Sequence, residues 1–286
     1  MHIEILGLQH QDLLKPKLAS LRVAISEYSF ANMYLFRNVH EYEVVFAKQI
    51  YIRGKTRDGL VYYMPTVHPT KVSFLDLQQS LGESGIVLFP IAEQWLGEFP
   101  SPTFIHESLS QDMDYIYTLE QLRHYPGRAL TGQRNQVNQF KRLYTCTSKA
   151  LTTETISDGV FVLDQWCKDD PDSDCSECLE ALRLHDILGL NGMIYYVDEQ
   201  PAALIIGEPL TSDVYVVHFA KGNLQFKGIY QYVYQHFAQG LSDTYQLINL
   251  EQDLGVPGMQ KAKTSYHPIK QETKWRVYRK QFKNGM

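Results

Sequence analysis

Along the first 42 positions Leu13, Leu14, Leu18, Leu21, Ile25 and Tyr28 recur near the helical period. They predict helix over 11–42, with Pro16 in a first turn and a second short helix starting at Phe30. The period then changes to two. Val44, Phe46, Ile50 and Ile52 alternate through 43–53, a β-type run fills 60–64, and Arg57-Asp58-Gly59 between them predicts a turn and an antiparallel hairpin. Residues 71–81 read as a helix and 86–89 as a buried strand. A short helix over 90–97 and short strands at 103–106 and 114–117 follow.

The second half has clearer periodicity. On a helix through 134–144, Val137, Phe140 and Tyr144 share one face while Arg134, Asn138, Lys141 and Arg142 share another. Residues 159–168 and 175–188 predict helices, and strands 193–197 and 202–208 flank the turn Asp198-Glu199-Gln200-Pro201. A strand at 214–219, an amphipathic helix at 225–239 carrying Phe226, Ile229, Tyr230, Val233, Tyr234 and Phe237, and a strand at 245–250 form a β-α-β crossover, expected to be parallel and right-handed. A short helix at 257–265 and a strand at 275–278 close the chain. The order predicts an α/β (α+β) architecture.

At 286 residues two domains are the default, with a seam expected near residue 150. The 44% hydrophobic and 21% charged content is globular, and a net charge of -5 removes the electrostatic case for wrapping long nucleic acid or lying on an anionic membrane. Glu4, His10, Asp12 and Lys15 interrupt the N-terminal apolar runs, so no signal peptide is expected, and no run of about 18 apolar residues predicts a membrane span. The four cysteines, Cys146, Cys167, Cys175 and Cys178, are too few for a disulfide framework and point to a reducing cytoplasm. Cys167, Cys175, Cys178 and His185 make a conceivable zinc set. The stripe Cys175, Cys178, Leu179 and Leu182 reads better as the core face of a helix, so no metal is expected.

Chemistry concentrates late in the chain. A strand feeding a helix through residues 220–228 builds an anion site, because helix N-termini present unsatisfied N–H groups. Within it Gln225-x-x-Gly228-x-Tyr230 is similar to the Gln/Arg-x-x-Gly-x-Gly/Ala loop of GNAT acyltransferases, with Tyr230 where a small residue belongs. The plain alternative for Gly222 and Gly228 is a tight turn and close helix packing. His218 shares an expected strand face with Val214 and Val216, as either a core histidine or a general base. Asn249-Leu250-Glu251-Gln252-Asp253-Leu254-Gly255 follows the next strand, where α/β folds place their sites, or is simply a capped loop. No nucleophile elbow, Walker loop, His-Glu-x-x-His helix or dinucleotide fingerprint is present.

Several segments together carry a family resemblance. They are residues 29–36 (SFANMYLF), Asp114-Tyr115-Ile116-Tyr117, Arg134-Asn135-x-x-Asn138-x-Phe140, Ile206-Gly207-Glu208, residues 226–231 (FKGIYQ), residues 248–255, and Lys261-Ala262-Lys263-x-Ser265-Tyr266-x-Pro268. In this order they resemble uncharacterised bacterial proteins related to the C-terminal domain of phosphatidylglycerol lysyltransferase. That resemblance implies two tandem GNAT-like (acyl-CoA N-acyltransferase-type) domains, akin to Fem aminoacyltransferases and each a mixed sheet flanked by helices. They would span 1–150 and 151–286, with the active site in the second. It implies acyl or aminoacyl transfer from aminoacyl-tRNA or an acyl-CoA to an amine or hydroxyl, with no covalent enzyme intermediate. The expected catalytic residues are His218 or Glu251 as base and Tyr266 as acid. Gln225, Lys227, Gly228, Arg134, Asn138 and Lys141 are expected on the donor, and Asn249, Asp253 and Lys261 as residues shaping the site. An acetyl-CoA-dependent N-acetyltransferase and a catalytically inactive ligand-binding module of the same fold are the competing readings.

Overall fold

A computed structural model describes residues 2–82, 85–169 and 173–280. In chain order its strands begin with β1 (His2–Ile5), β2 (Glu43–Phe46), β3 (Ile50–Lys55), β4 (Val61–Pro65), β5 (Val87–Ala92), β6 (Phe104–Glu107) and β7 (Asp114–Thr118). They continue with β8 (Cys146–Ala150), β9 (Asn191–Val197), β10 (Gln200–Pro209), β11 (Val214–Gly222), β12 (Leu247–Asn249), β13 (Lys270–Glu272) and β14 (Lys274–Arg279). The helices are α1 (Gln11–Leu21), α2 (Phe30–Leu35), α3 (Phe74–Leu81), α4 (Leu119–His124), α5 (Thr131–Leu143), α6 (Ile156–Asp169), α7 (Cys175–Arg183), α8 (His185–Leu188), α9 (Ile229–Gly240) and α10 (Pro257–Thr264).

Two seven-stranded mixed sheets result, ordered β1-β2-β3-β4-β5-β14-β6 and β13-β7-β12-β11-β10-β9-β8. Read from β8, the second repeats the first: a meander, then a parallel pair joined through a helix, β4 to β5 across α3 and β11 to β12 across α9. The strand beside each crossover is exchanged. β14 lies next to β5 and β7 next to β12, so each half of the sequence closes with a strand of the other half's sheet. By contacts the chain divides into Met1–Met113 with Glu272–Met286, and Asp114–Gln271. Residue 150, where the seam was expected, is the last residue of β8, paired to Met193 of β9 inside the second unit.

Local chemistry explains where predicted elements change. The helix expected over 11–42 stops at Leu21, where Arg22 turns left-handed (φ 52°), and resumes only at α2, capped by Ser29 accepting from the Asn32 N–H. The alternating run 43–53 folds back on itself as β2 and β3, which pair antiparallel, so the expected hairpin is a three-stranded meander with β4. The helix expected over 90–97 begins as strand, since β5 runs to Ala92 before a 3-10 turn over Glu93–Glu98.

In the first unit β14 is anchored by charge. Lys274 is wholly buried and its ammonium meets Glu27 at 2.6 Å, while the Arg276 guanidinium holds Asp58 at 2.7 and 3.0 Å and Asp112 at 2.9 Å. In the second unit Ile229, Val233 and Phe237 of α9 and Val137 and Phe140 of α5 pack onto Tyr195, Tyr215 and Val217 of the sheet. Each aliphatic or phenyl side chain so buried stabilises the unit by roughly 1.5–3 kcal/mol.

The zinc reading fails on covalent grounds. Cys167 at the end of α6 and Cys175 at the start of α7 form a disulfide, against the expectation of reduced cysteines throughout. Cys178 is a free, wholly buried thiol, and His185 Nδ1 lies 3.0 Å from the Leu182 carbonyl oxygen. Among the described residues no helix is long and apolar enough to cross a membrane.

Candidate active site at the parting of two strands

A β-bulge builds the centre of the site. The ladder between β10 and β11 pairs Ile206 with Phe219 and then Gly207 with Val217, leaving His218 as the extra residue. Gly207 makes this possible, since a Cβ there would lie 2.1 Å from the Val216 carbonyl oxygen. The bulge re-aims His218 between two carboxylates. Its Nε2 lies 3.2 Å from Glu208 Oε1 and its Nδ1 2.7 Å from Glu251 Oε1. Burial pulls the imidazole pKa down, but the charges and hydrogen bonds of Glu251 and Glu208 outweigh it, and the group is pushed up to about 10. At neutral pH His218 is therefore an imidazolium donating both N–H groups. It has no lone pair for the general-base role expected of it.

The two parallel strands separate here. The β11–β12 ladder ends at Val216 and Asn249, although β11 continues to Gly222. The chain after β12 stays with β7, where the Leu250 N–H donates to the Tyr115 carbonyl (3.0 Å) and the Tyr115 N–H to the Glu251 carbonyl (3.1 Å). The His218–Glu251 pair spans the resulting gap. His218 has no side-chain exposure, and Glu251 keeps 13%.

The loop after β12 is held from several sides. Asn249 is buried, donates to Asp114 Oδ2 at 2.9 Å and accepts the Glu251 N–H at 2.6 Å. Asp253 accepts the Gly255 N–H (2.8 Å) and the Tyr115 hydroxyl (2.6 Å). Both side chains hold the main chain of the loop. Lys261 is exposed on α10; the lysine that reaches the loop is Lys263, whose Nζ donates to the Leu250, Glu251 and Gln252 carbonyls. Helical spacing offered no signal for it, because α10 buries none of its residues.

The expected donor residues divide. Gly228 is left-handed (φ 88°), and a Cβ on it would stand 2.6 Å from the Gln136 carbonyl oxygen, so the turn before α9 packs on the main chain of α5. That contact brings Gln225 and Lys227 near the helix carrying Asn138 and Lys141, all four exposed. Arg134 is engaged elsewhere: its guanidinium donates to the Tyr125 carbonyl, to the Gly127 carbonyl at 2.6 Å and to Thr131 Oγ1 at 3.0 Å. It clamps the turn before α5 instead of facing a donor phosphate. Tyr230 uses its hydroxyl to accept the Gly222 N–H and the Trp166 indole N–H, each at 3.1 Å.

Tyr266 is a core residue. Its ring packs against Tyr234, Tyr125 and Tyr117 with centroids 5.4, 5.9 and 6.4 Å apart, and burial pushes its hydroxyl well above the usual tyrosine range. Among the described residues that hydroxyl has no hydrogen-bond partner, so it is poorly placed to protonate a leaving group. Glu208, ten residues before the histidine it holds, and Lys221 lie in segments the sequence marked but were not among its expected site residues. Lys221 is buried near the end of β11 with Asp174 at 2.5 Å and the Trp166 ring centroid at 3.6 Å.

Two mixed sheets of matching strand order, each flanked by helices, place the fold in a tandem α/β class, and in the second sheet the crossover strands part at their carboxyl ends. Within that class the chain belongs to the family described as phosphatidylglycerol lysyltransferase, C-terminal, whose model matches residues 18–278. It is similar to a conserved protein of unknown function from Bacteroides thetaiotaomicron VPI-5482 (22% identity, TM-score 0.86, 97% of this chain and 99% of that one). It is also similar to the C-terminal domain of a protein described as a lysylphosphatidylglycerol synthetase from Agrobacterium fabrum (12%, 0.64, 96% and 93%) and to FemX (10%, 0.58, 98% and 98%). No curated protein matches the chain.

Proposed function

We propose that this chain is an acyl- or aminoacyl-transferase whose reaction takes place where β11 and β12 part, with Glu251 as the proton acceptor. One observation carries the reading: the buried His218 imidazolium bridges the parted strands and holds a carboxylate that keeps an exposed edge. An acceptor amine or hydroxyl attacks the carbonyl carbon of an activated ester or thioester. The new C–N or C–O bond forms, the bond to the donor's oxygen or sulfur breaks, and the nucleophile's proton passes through Glu251 to the leaving group. His218 holds Glu251 in orientation. No covalent enzyme intermediate is needed.

Aminoacyl-tRNA fits the donor side better than an acyl-CoA. The turn that would cradle a pyrophosphate has its Gly222 N–H bonded to Tyr230 and its Gly228 pressed against α5, whereas Gln225, Lys227, Asn138 and Lys141 offer an exposed polar and cationic surface for a phosphate backbone. A soluble donor of that kind places the reaction in the cytoplasm. The test is release of free tRNA from charged tRNA, or of free thiol from acyl-CoA, by the purified protein with amine and hydroxyl acceptors. Glu251→Gln should abolish release while leaving the circular dichroism spectrum unchanged; full turnover by that variant, or none by the wild type with either donor, rejects the proposal.

A further inference from the structure

The ammonium of Lys263 donates to three successive carbonyls, those of Leu250 at 2.7 Å, Glu251 at 3.2 Å and Gln252 at 2.5 Å. Successive carbonyls of a strand point to opposite sides, so three that meet one cation require a loop wound around it. Glu251 is the middle residue and lies in the left-handed region (φ 59°). For a residue with a Cβ this conformation is strained and persists only where the surroundings over-determine it. Asn249, itself held by Asp114, fixes the N–H of Glu251. Lys263 fixes the carbonyls on either side of it and its own.

The direction of the Glu251 side chain follows from that backbone. We infer that Lys263 is a positioning residue, gathering the 250–252 carbonyls so that the Glu251 carboxylate is aimed at His218 and at the incoming acceptor. The catalytic half of this statement rests on the transferase reading; the effect on His218 does not. The charged groups facing the imidazole are Glu208 from β10 and Glu251 from the loop, and Phe219 beside it is apolar. A change at Lys263 therefore reaches the ring through Glu251. It also leaves the core intact, because α10 contributes no buried residue.

The test follows the His218 ring by nitrogen-resolved NMR from about pH 6 to about pH 12 in the wild type, Lys263→Met and Lys263→Arg. In Lys263→Met the ring should lose its proton at least about one pH unit lower than in the wild type. Lys263→Arg, which keeps a cationic donor, should restore most of that difference. With an active donor, Lys263→Met should lower kcat by about tenfold and leave KM within about twofold. If Lys263→Met does not fold, Lys263→Gln takes its place with the same shift required. A His218 titration unchanged in a folded variant overturns the inference, whatever turnover does. A shifted titration in a protein that turns over no donor supports the positioning role and overturns the transferase reading alone.

Discussion

Glu251 meets His218 at 2.7 Å across the gap left where β12 departs from β11, and the contact joins two segments 33 residues apart. With Glu208 on the opposite edge of the ring, one buried positive charge stands between two carboxylates. Such an arrangement is stable only with both partners in place, since an imidazolium taken out of water without them would lose its proton. The same two interactions convert a histidine suited to proton uptake into a fixed cation. The carboxylate that keeps some exposure is that of Glu251, the proton acceptor of the proposed reaction.

This charge state gives the stability a pH dependence of known sign. In the folded protein His218 releases its proton at about 10, against 6.5 for the ordinary side chain, so between those values the native state binds more protons than the unfolded one. The contribution is complete below about pH 6.5 and is lost as pH rises toward 10. Urea denaturation should show stability falling across that window by an amount on the order of a few kcal/mol. The fall should vanish in His218→Gln, and an equal slope in both proteins would refute the assignment.

In the first unit the Lys274–Glu27 pair makes a separate prediction. Glu27→Ala leaves a wholly buried ammonium without its carboxylate and should cost about 3–5 kcal/mol. The double variant Glu27→Leu with Lys274→Met removes both charges and should recover most of that loss. Thermal unfolding distinguishes the cases, and a double variant no better than the single one would show that the pair does more than neutralise itself.

The Cys167–Cys175 disulfide closes a short loop, with eight residues of separation, between α6 and α7. Reduction, or Cys167→Ser, should lower stability by about 2–3 kcal/mol through the freed unfolded chain. The neighbouring Trp166 and Asp174 both hold Lys221, so the loss should appear first as exchange of amides around 221–222. Equal melting temperatures with and without a dithiol reductant would contradict this. Cys146→Ser, which breaks no disulfide, provides the control.

Much of the second unit was legible in the sequence, because local period carries it. The change from a β-type run at 214–219 to helical spacing at 225–239 and back announces the β11–α9–β12 crossover, and the polar cluster at 249–253 marks its open end. Long-range relations left weaker traces. Gly207 inside a strand signals a bulge, yet nothing nearby says that His218 is the residue displaced or that Glu208 will hold it. Lys261 and Lys263 look alike on a helix without a buried face, and only the path of the 250–252 carbonyls separates them. The exchange of β7 and β14 pairs segments from opposite halves of the chain, a relation that neither length nor local period carries. Tyr266 differs again, for its residue type suits proton transfer while its aromatic neighbours bury it in the core.

Gly228 tests whether the turn before α9 serves packing or phosphate binding. Its φ of 88° and the 2.6 Å approach of the Gln136 carbonyl to a would-be Cβ mean that Gly228→Ala strains the backbone and pushes α5 from α9. The cost should be about 2 kcal/mol or more, which lowers the melting temperature by roughly 4–8 °C for a unit of this size. Gln136 contributes main chain alone, so Gln136→Ala should not rescue it. The charge of Lys227, one residue earlier, is exposed and carries no such structural burden. Lys227→Ala should leave the melting temperature within about 1 °C and weaken charged-tRNA binding with a reduced salt dependence. If instead Gly228→Ala proves neutral for stability and acts only on donor affinity, the glycine belongs to a phosphate cradle and the acyl-CoA reading regains its footing.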